Sequence, residues 1–236
     1  MKAFQYITAC LFALVVASGC ASTQVTDCEQ LVTGRIPRPD HILVYDFVAT
    51  PTDVPAESAL ANDSSVQPTP QTAEQIATGR RVGAEIGARL VEEIRSMGLP
   101  AERASTSTRP QINDILIRGY LLSVQEGSAA ERMAIGFGSG TSRLSVAVEG
   151  YQMTAQGPRK LGSGNVESGG SKGPGAAVPL AVAIATGNPL GLILTSGMKV
   201  YGEASGSSKI DGRAEQTAKE VANQLRPRFQ QQGWIR

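Results

Sequence analysis

The sequence predicts an α/β fold: a small antiparallel or mixed sheet of about four strands, packed by two amphipathic helices and accompanied by an apolar helical hairpin. Three observations predict it. Ile42-Leu43-Val44-Tyr45-Asp46-Phe47-Val48 is a nearly unbroken apolar run rich in β-branched and aromatic residues, the pattern of a central strand covered on both faces. Ile76, Val82, Ile86, Leu90, Ile94 and Met97 fall on one face of a helix. Leu144, Val146 and Val148 point inward against Ser145 and Glu149 outward, as in a half-exposed antiparallel strand.

The chain opens with Met1-Lys2, a short apolar run from Ile7 to Ala17, and the small residues Ala17-Ser18-Gly19 ahead of Cys20. That order predicts a signal peptide over 1–19, since an apolar run of roughly a dozen residues falls short of the roughly 20 that span a bilayer. The site resembles the lipobox of bacterial lipoproteins, with Ala17 where leucine is usual. The resemblance implies an acylated Cys20, held in membrane lipid by a diacylglyceryl group and an amide-linked chain; stable anchoring takes two such signals. By the sorting rule of such lipoproteins, Ala21 in place of aspartate implies the periplasmic face of the outer membrane, where the host has two membranes.

The 236 residues carry a formal charge of +1, and Lys2 leaves with the signal peptide, so the mature balance lies near zero. Scattered Lys and Arg, few aromatics and the lack of a basic run give no reason to expect nucleic acid. Cys10 is discarded and Cys20 is modified, which leaves Cys28 as a single thiol. It reads as an inert tether thiol because its neighbours lack the Lys, Arg or His that would activate it; pairing with another chain is the alternative.

Residues 20–40 include Pro37 and Pro39 and have no sustained apolar period, so they read as a lipidated tether. Fully extended, they would span roughly 65 Å at most. One domain is expected over 41–236. After its first strand comes a long polar loop, 50–71, of the kind that is usually functional or mobile. Thr72 to Gln75 fits a capping box for the first helix, and Gly98 with Pro100 marks its end. Gly79, Gly83 and Gly87 form a second stripe on that helix, each about 0.8 to 1 kcal/mol less favourable than alanine. Such a stripe signals close approach, either to a neighbouring subunit or to another helix or sheet within the domain, and contact within the domain is the default use of small residues.

Ile112 to Glu126 is extended, with Ile115, Ile117 and Leu121 on one side and Leu116, Tyr120, Leu122 and Val124 on the other, so both faces are expected to be covered. The strand from Arg143 to Thr154 turns at Ala155-Gln156-Gly157-Pro158 into a polar, glycine-rich strand, Arg159 to Ser168, placed near a sheet edge. Residues 174–198 are apolar but broken by Pro179 and by Thr186-Gly187-Asn188-Pro189, which argues for two short helices rather than one spanning helix. A flap over the sheet, an oligomer contact and a membrane-dipping hairpin all fit, and Gly187, Pro189, Gly191 and Leu192 are its candidate interaction residues. A closing helix has Asp211 as its cap, Ala214, Ala218, Val221, Ala222 and Leu225 as its stripe, and Pro227 as a kink or restart before Phe229 and Trp234.

Chemistry is sparse. His41 is the single histidine, and with no cysteine cluster the common zinc sites are missing, so no metal, cofactor or catalytic residue is expected. Ile135-Gly136-Phe137-Gly138-Ser139-Gly140 lacks the Gly-Lys-Ser/Thr of a phosphate loop and reads as a flexible connection. Asp46, Glu126, Glu149 and Glu167 are expected to be solvated acids at strand ends, although a pair of them could act as acid and base. Asp46 interrupts an apolar strand and must be partnered, protonated or at its wet end.

The segments Asp114 to Gly127, Ile135 to Gly140, Leu144 to Gln156 and Leu161 to Ser168, then an apolar Gly/Pro/Ala-rich piece and a closing helix, resemble a bacterial lipoprotein family catalogued as a domain of unknown function (4410). Gly136 to Gly140 and Val148 to Thr154 are the most specific parts, and the family implies no catalytic residues. Ile42 to Phe47, Met97-Gly98-Leu99 and Ile115 to Gly119 are more loosely similar to the α/β domain of periplasmic assembly lipoproteins, an analogy that confers no function. The expectation is a non-enzymatic accessory or assembly subunit of the cell envelope, bound to membrane lipid through Cys20 and to an envelope protein or to itself. A ring-forming export or pore component and an envelope-polymer hydrolase are the alternatives.

Overall fold

In a computed structural model of the chain, the structure describes residues 23–32, 34–56, 58, 71–125, 143–169 and 207–236. They form β1 (Thr23–Gln30), β2 (Ile42–Tyr45), α1 (Ala73–Ser96), β3 (Ala101–Ala104), β4 (Ile115–Gln125), β5 (Arg143–Thr154), β6 (Gly157–Gly169) and α2 (Ser207–Gln232). The expected signal peptide over 1–19, Cys20, Glu126, the glycine-rich segment 135–140 and most of the expected 50–71 loop lie outside the described residues. So does the segment 174–198, expected to be an apolar hairpin, with Gly187, Pro189, Gly191 and Leu192.

The strands form one sheet in the order β1-β6-β5-β4-β2-β3. β2 pairs in parallel with β3 and β4, and antiparallel ladders join β4, β5, β6 and β1. A parallel pair needs a crossover, and α1 supplies the one between β2 and β3. β2 lies between β4 and the edge strand β3 and is covered on both faces, as its apolar run predicts: Ile42, Leu43 and Val44 are all buried.

α1 begins on the expected capping box, with Thr72 Oγ1 accepting from Gln75 N at 3.2 Å and Gln75 Oε1 accepting from Thr72 N at 2.8 Å. It ends at Gly98, whose φ of 81° lies in the left-handed region that glycine tolerates. Thr72→Ala removes one half of this box and is expected to lower stability by about 1 kcal/mol in a urea titration. Val82, Ile86, Leu90 and Ile94 turn onto the sheet, where they meet Ile42, Val44, Ile117, Leu121, Leu144 and Val146 in one core. Ala214, Ala218 and Ala222 of α2 join the same core, and their small side chains let α2 lie beside α1.

The glycine stripe of α1 does make an internal contact. Phe47 N donates to Gly83 O at 3.1 Å, so the helix backbone touches the chain leaving β2. A Cβ at Gly83 would overlap the Phe47 carbonyl oxygen, and one at Gly87 would stand 3.3 Å from the Tyr45 carbonyl oxygen.

Three expectations change. The sheet has six strands where about four were expected. β3 reads Ala-Glu-Arg-Ala and β1 lies in the stretch read as tether; neither has an apolar period, and both form by adding to the outer strands of the sheet. β1 pairs with β6 as the outermost strand, so the glycine-rich strand lies second from the edge, near it as expected. α2 starts at Ser207, so Asp211 lies within it rather than capping it, and the helix continues through Pro227 to Gln232. Tertiary contacts hold that last turn: Gln232 Oε1 accepts from Ile36 N at 2.7 Å and its Nε2 donates to Gly34 O at 3.1 Å. A Schellman closure ends it, with Trp234 N on Phe229 O and Gly233 N on Gln230 O, each at 2.9 Å. Phe229 and Trp234 stack across that closure with ring centroids 5.5 Å apart.

Candidate functional site

The face of the sheet away from the helices was expected to be half wet along β5. It is covered instead. After Phe47 the chain rejoins the sheet beside β4, Val48 forming a parallel bridge to Tyr120 through Val48 N on Gly119 O at 2.8 Å and Leu121 N on Val48 O at 2.9 Å. Val48 and Val54 then pack on Tyr120, Leu122 and Ala147, a second and smaller apolar cluster. Ser145 and Glu149, predicted to face water, are buried, at 5% and 2% exposure.

A buried carboxylate must be paired and hydrogen-bonded, and Glu149 is. Its Oε2 accepts from Tyr151 Oη at 2.8 Å, Ser58 Oγ at 2.9 Å and Tyr120 Oη at 3.0 Å. Its Oε1 lies 3.1 Å from Lys160 Nζ. Burial pushes the Glu149 carboxyl up, but the Tyr151 and Ser58 hydroxyls and the Lys160 ammonium outweigh it and hold the group below the usual carboxylate range. Burial foremost, together with the Glu149 charge, raises both the Tyr120 and Tyr151 phenols, which therefore stay neutral donors well into the alkaline range. The Arg118 guanidinium sits over two rings, 5.3 Å from the Tyr45 centroid and 5.6 Å from that of Tyr151, within cation–π range.

Beside this network a cleft of about 870 Å³ opens between Tyr45, Tyr120, Met153 and the turn at Ser105–Thr108. Asp46 is on its wall. It is exposed at the wet end of β2 and held by Arg103 through Nη2 contacts of 2.6 and 2.8 Å, one of the outcomes its position in an apolar run required. Glu149 and Glu167 share a face but stand opposite Ser163 and Ser145, four ladder positions apart along the strands, or about 13 Å. Those two acids therefore form no acid–base pair. His41 Nδ1 lies 3.2 Å from Oδ1 of the buried Asp114, whose Oδ2 accepts from Gln111 N at 2.7 Å. Among the described residues, no three His, Cys, Asp or Glu are grouped to hold a metal ion, and no helix is long and apolar enough to cross a membrane.

Ser58, Tyr120, Tyr151 and Lys160 were not singled out from the sequence. One signal was available: the β5–β6 hairpin pairs Thr154 with Gly157, and counting back three pairs sets Lys160 opposite Tyr151, on the face of Glu149. Ser58 carried none, since a loop's path cannot be read from its composition.

A leucine-to-methionine variant of the PelC dodecamer from Paraburkholderia phytofirmans is similar at 12% identity and a TM-score of 0.39, over 86% of this chain and 98% of that one. A second PelC dodecamer structure from the same organism gives 11% identity and a TM-score of 0.37, over 85% and 95%. No curated protein matches. Residues 42–187, more than half of the chain, match the family described as Domain of unknown function (DUF4410), and the chain belongs to that family.

Proposed function

We propose that this protein is a non-enzymatic accessory or assembly subunit of the cell envelope, anchored through an acylated Cys20 at the periplasmic face of the outer membrane. The observation that supports a non-catalytic reading best is the state of Glu149. A catalytic acid or base has to reach substrate, whereas this carboxylate is buried and occupied by three hydroxyls and an ammonium that pin a loop to the sheet. Asp46 and Glu167 support the same reading. Asp46 is tied to Arg103 on the surface, and Glu167 stands too far from Glu149 to share a proton transfer with it. The protein then acts by contact, on an envelope partner or on further copies of itself.

Cys20→Ser tests the anchor. Wild-type protein is expected in the membrane pellet and to incorporate a labelled palmitate analogue; the variant is expected to lose the label and appear in the soluble fraction. Equal pelleting and equal labelling of the two would defeat the proposal. Light scattering on detergent-extracted protein separates a single accessory subunit from a ring-forming export component, since a lone protomer speaks against the ring.

A further inference from the structure

An apolar cavity of about 170 Å³ lies on the opposite face of the sheet, between it and α2. Ile117, Val148, Gly150 and Leu161 form its floor, and Leu225 and Phe229 of α2 its roof. Gly150 is the reason the space exists. It faces α2 from the middle of β5, and a Cβ built there meets no atom within 4 Å. Apolar voids of this size destabilise a fold when empty, and one of ~150 Å³ is known to stay dry and to admit a benzene-sized guest.

The mouth is different. Gln30, Gln232 and Arg228 border it together with Glu29, Arg228 donating to Gln30 Oε1. An apolar interior closed by glutamines and a guanidinium suits an amphiphile with a short hydrocarbon tail and one negative charge.

We propose that this cavity is a binding site for the alkyl chain of a monoanionic amphiphile, its tail against Gly150 and Leu161 and its head group beside Arg228. This goes beyond the anchor at Cys20 and does not depend on it.

Isothermal titration of the full chain with octanoate and with 1-octanol tests it. Saturable binding of octanoate at one site is expected. Gly150→Leu fills the floor and is expected to abolish binding of both probes while raising the melting temperature of the unliganded protein. Val148→Phe, which fills the same space from the neighbouring position, serves if Gly150→Leu does not fold. Arg228→Gln is expected to weaken octanoate about tenfold and to leave octanol unchanged, because a charge-assisted hydrogen bond is lost only with the acid. Absence of saturable octanoate binding to the wild type overturns the proposal. So does unaltered affinity in the filled variant, or an equal effect of Arg228→Gln on both probes.

Discussion

Gly83→Val is expected to lower the melting temperature by roughly 6 to 12 °C, the equivalent of about 3 kcal/mol for a chain of this size. Valine has the better intrinsic helix propensity, by a few tenths of a kcal/mol, so on local grounds alone the substitution would help. Tertiary geometry reverses the sign. The new Cβ falls on the Phe47 carbonyl oxygen, a backbone atom held in place by its neighbours in the core, so α1 must lift off the sheet or β2 must bend. Lifting α1 also breaks the Phe47 N to Gly83 O hydrogen bond and loosens Val82 and Ile86, both fully buried. Gly212 is the control. It lies in α2 with nothing near a built Cβ, and Gly212→Ala is expected to stabilise by about 0.5 to 1 kcal/mol in the same assay. A Gly83→Val protein that melts with the wild type would show that the helix and strand do not touch there.

Glu149→Ala is expected to destabilise by about 3 to 5 kcal/mol, because it leaves the Lys160 ammonium and three buried hydroxyls without their shared acceptor. Glu149→Gln keeps an acceptor for the hydroxyls but loses the charge, so its loss should be smaller. The pH dependence follows from the depressed carboxyl. With the folded pKa below the ordinary value of 4.5, the contribution is fully present above 4.5 and fades as pH falls through the folded pKa. The stability gap between wild type and Glu149→Gln, measured by denaturant titration from pH 7 downward, should therefore hold steady to about pH 5 and narrow below 4.5. A gap that widens on acidification would mean that the carboxyl is raised, not lowered. Because Ser58 belongs to the network, protease cleavage in the 50–71 loop should also speed up in Glu149→Ala.

The contrast between these two residues shows what could be read in advance. The glycine stripe of α1, the capping box at Thr72 and the inward faces of β4 and β5 all follow from local spacing, and all lie where spacing puts them. Glu149 was expected to be wet because strand alternation reports only which residues share a face, not what lies over that face. Here a loop with no periodicity of its own supplies the cover. The same limit applies to β1 and β3, whose ordinary polar sequences become strands because the sheet offers them unpaired backbone. Asp46 was legible as a residue needing a partner, but Arg103 as that partner depended on β2 and β3 pairing in parallel, Tyr45 opposite Ala104.

The strand at Thr23 also shortens the leash. Only Ala21 and Ser22 stand between Cys20 and β1, three peptide steps that reach no more than about 11 Å. Downstream, the chain is stitched in again, Leu31 to β6 and Gly34 and Ile36 to the end of α2. A lipid on Cys20 would therefore hold the protein low and in one orientation, with the β1 margin of the sheet beside the head groups, rather than letting it reach a distant partner.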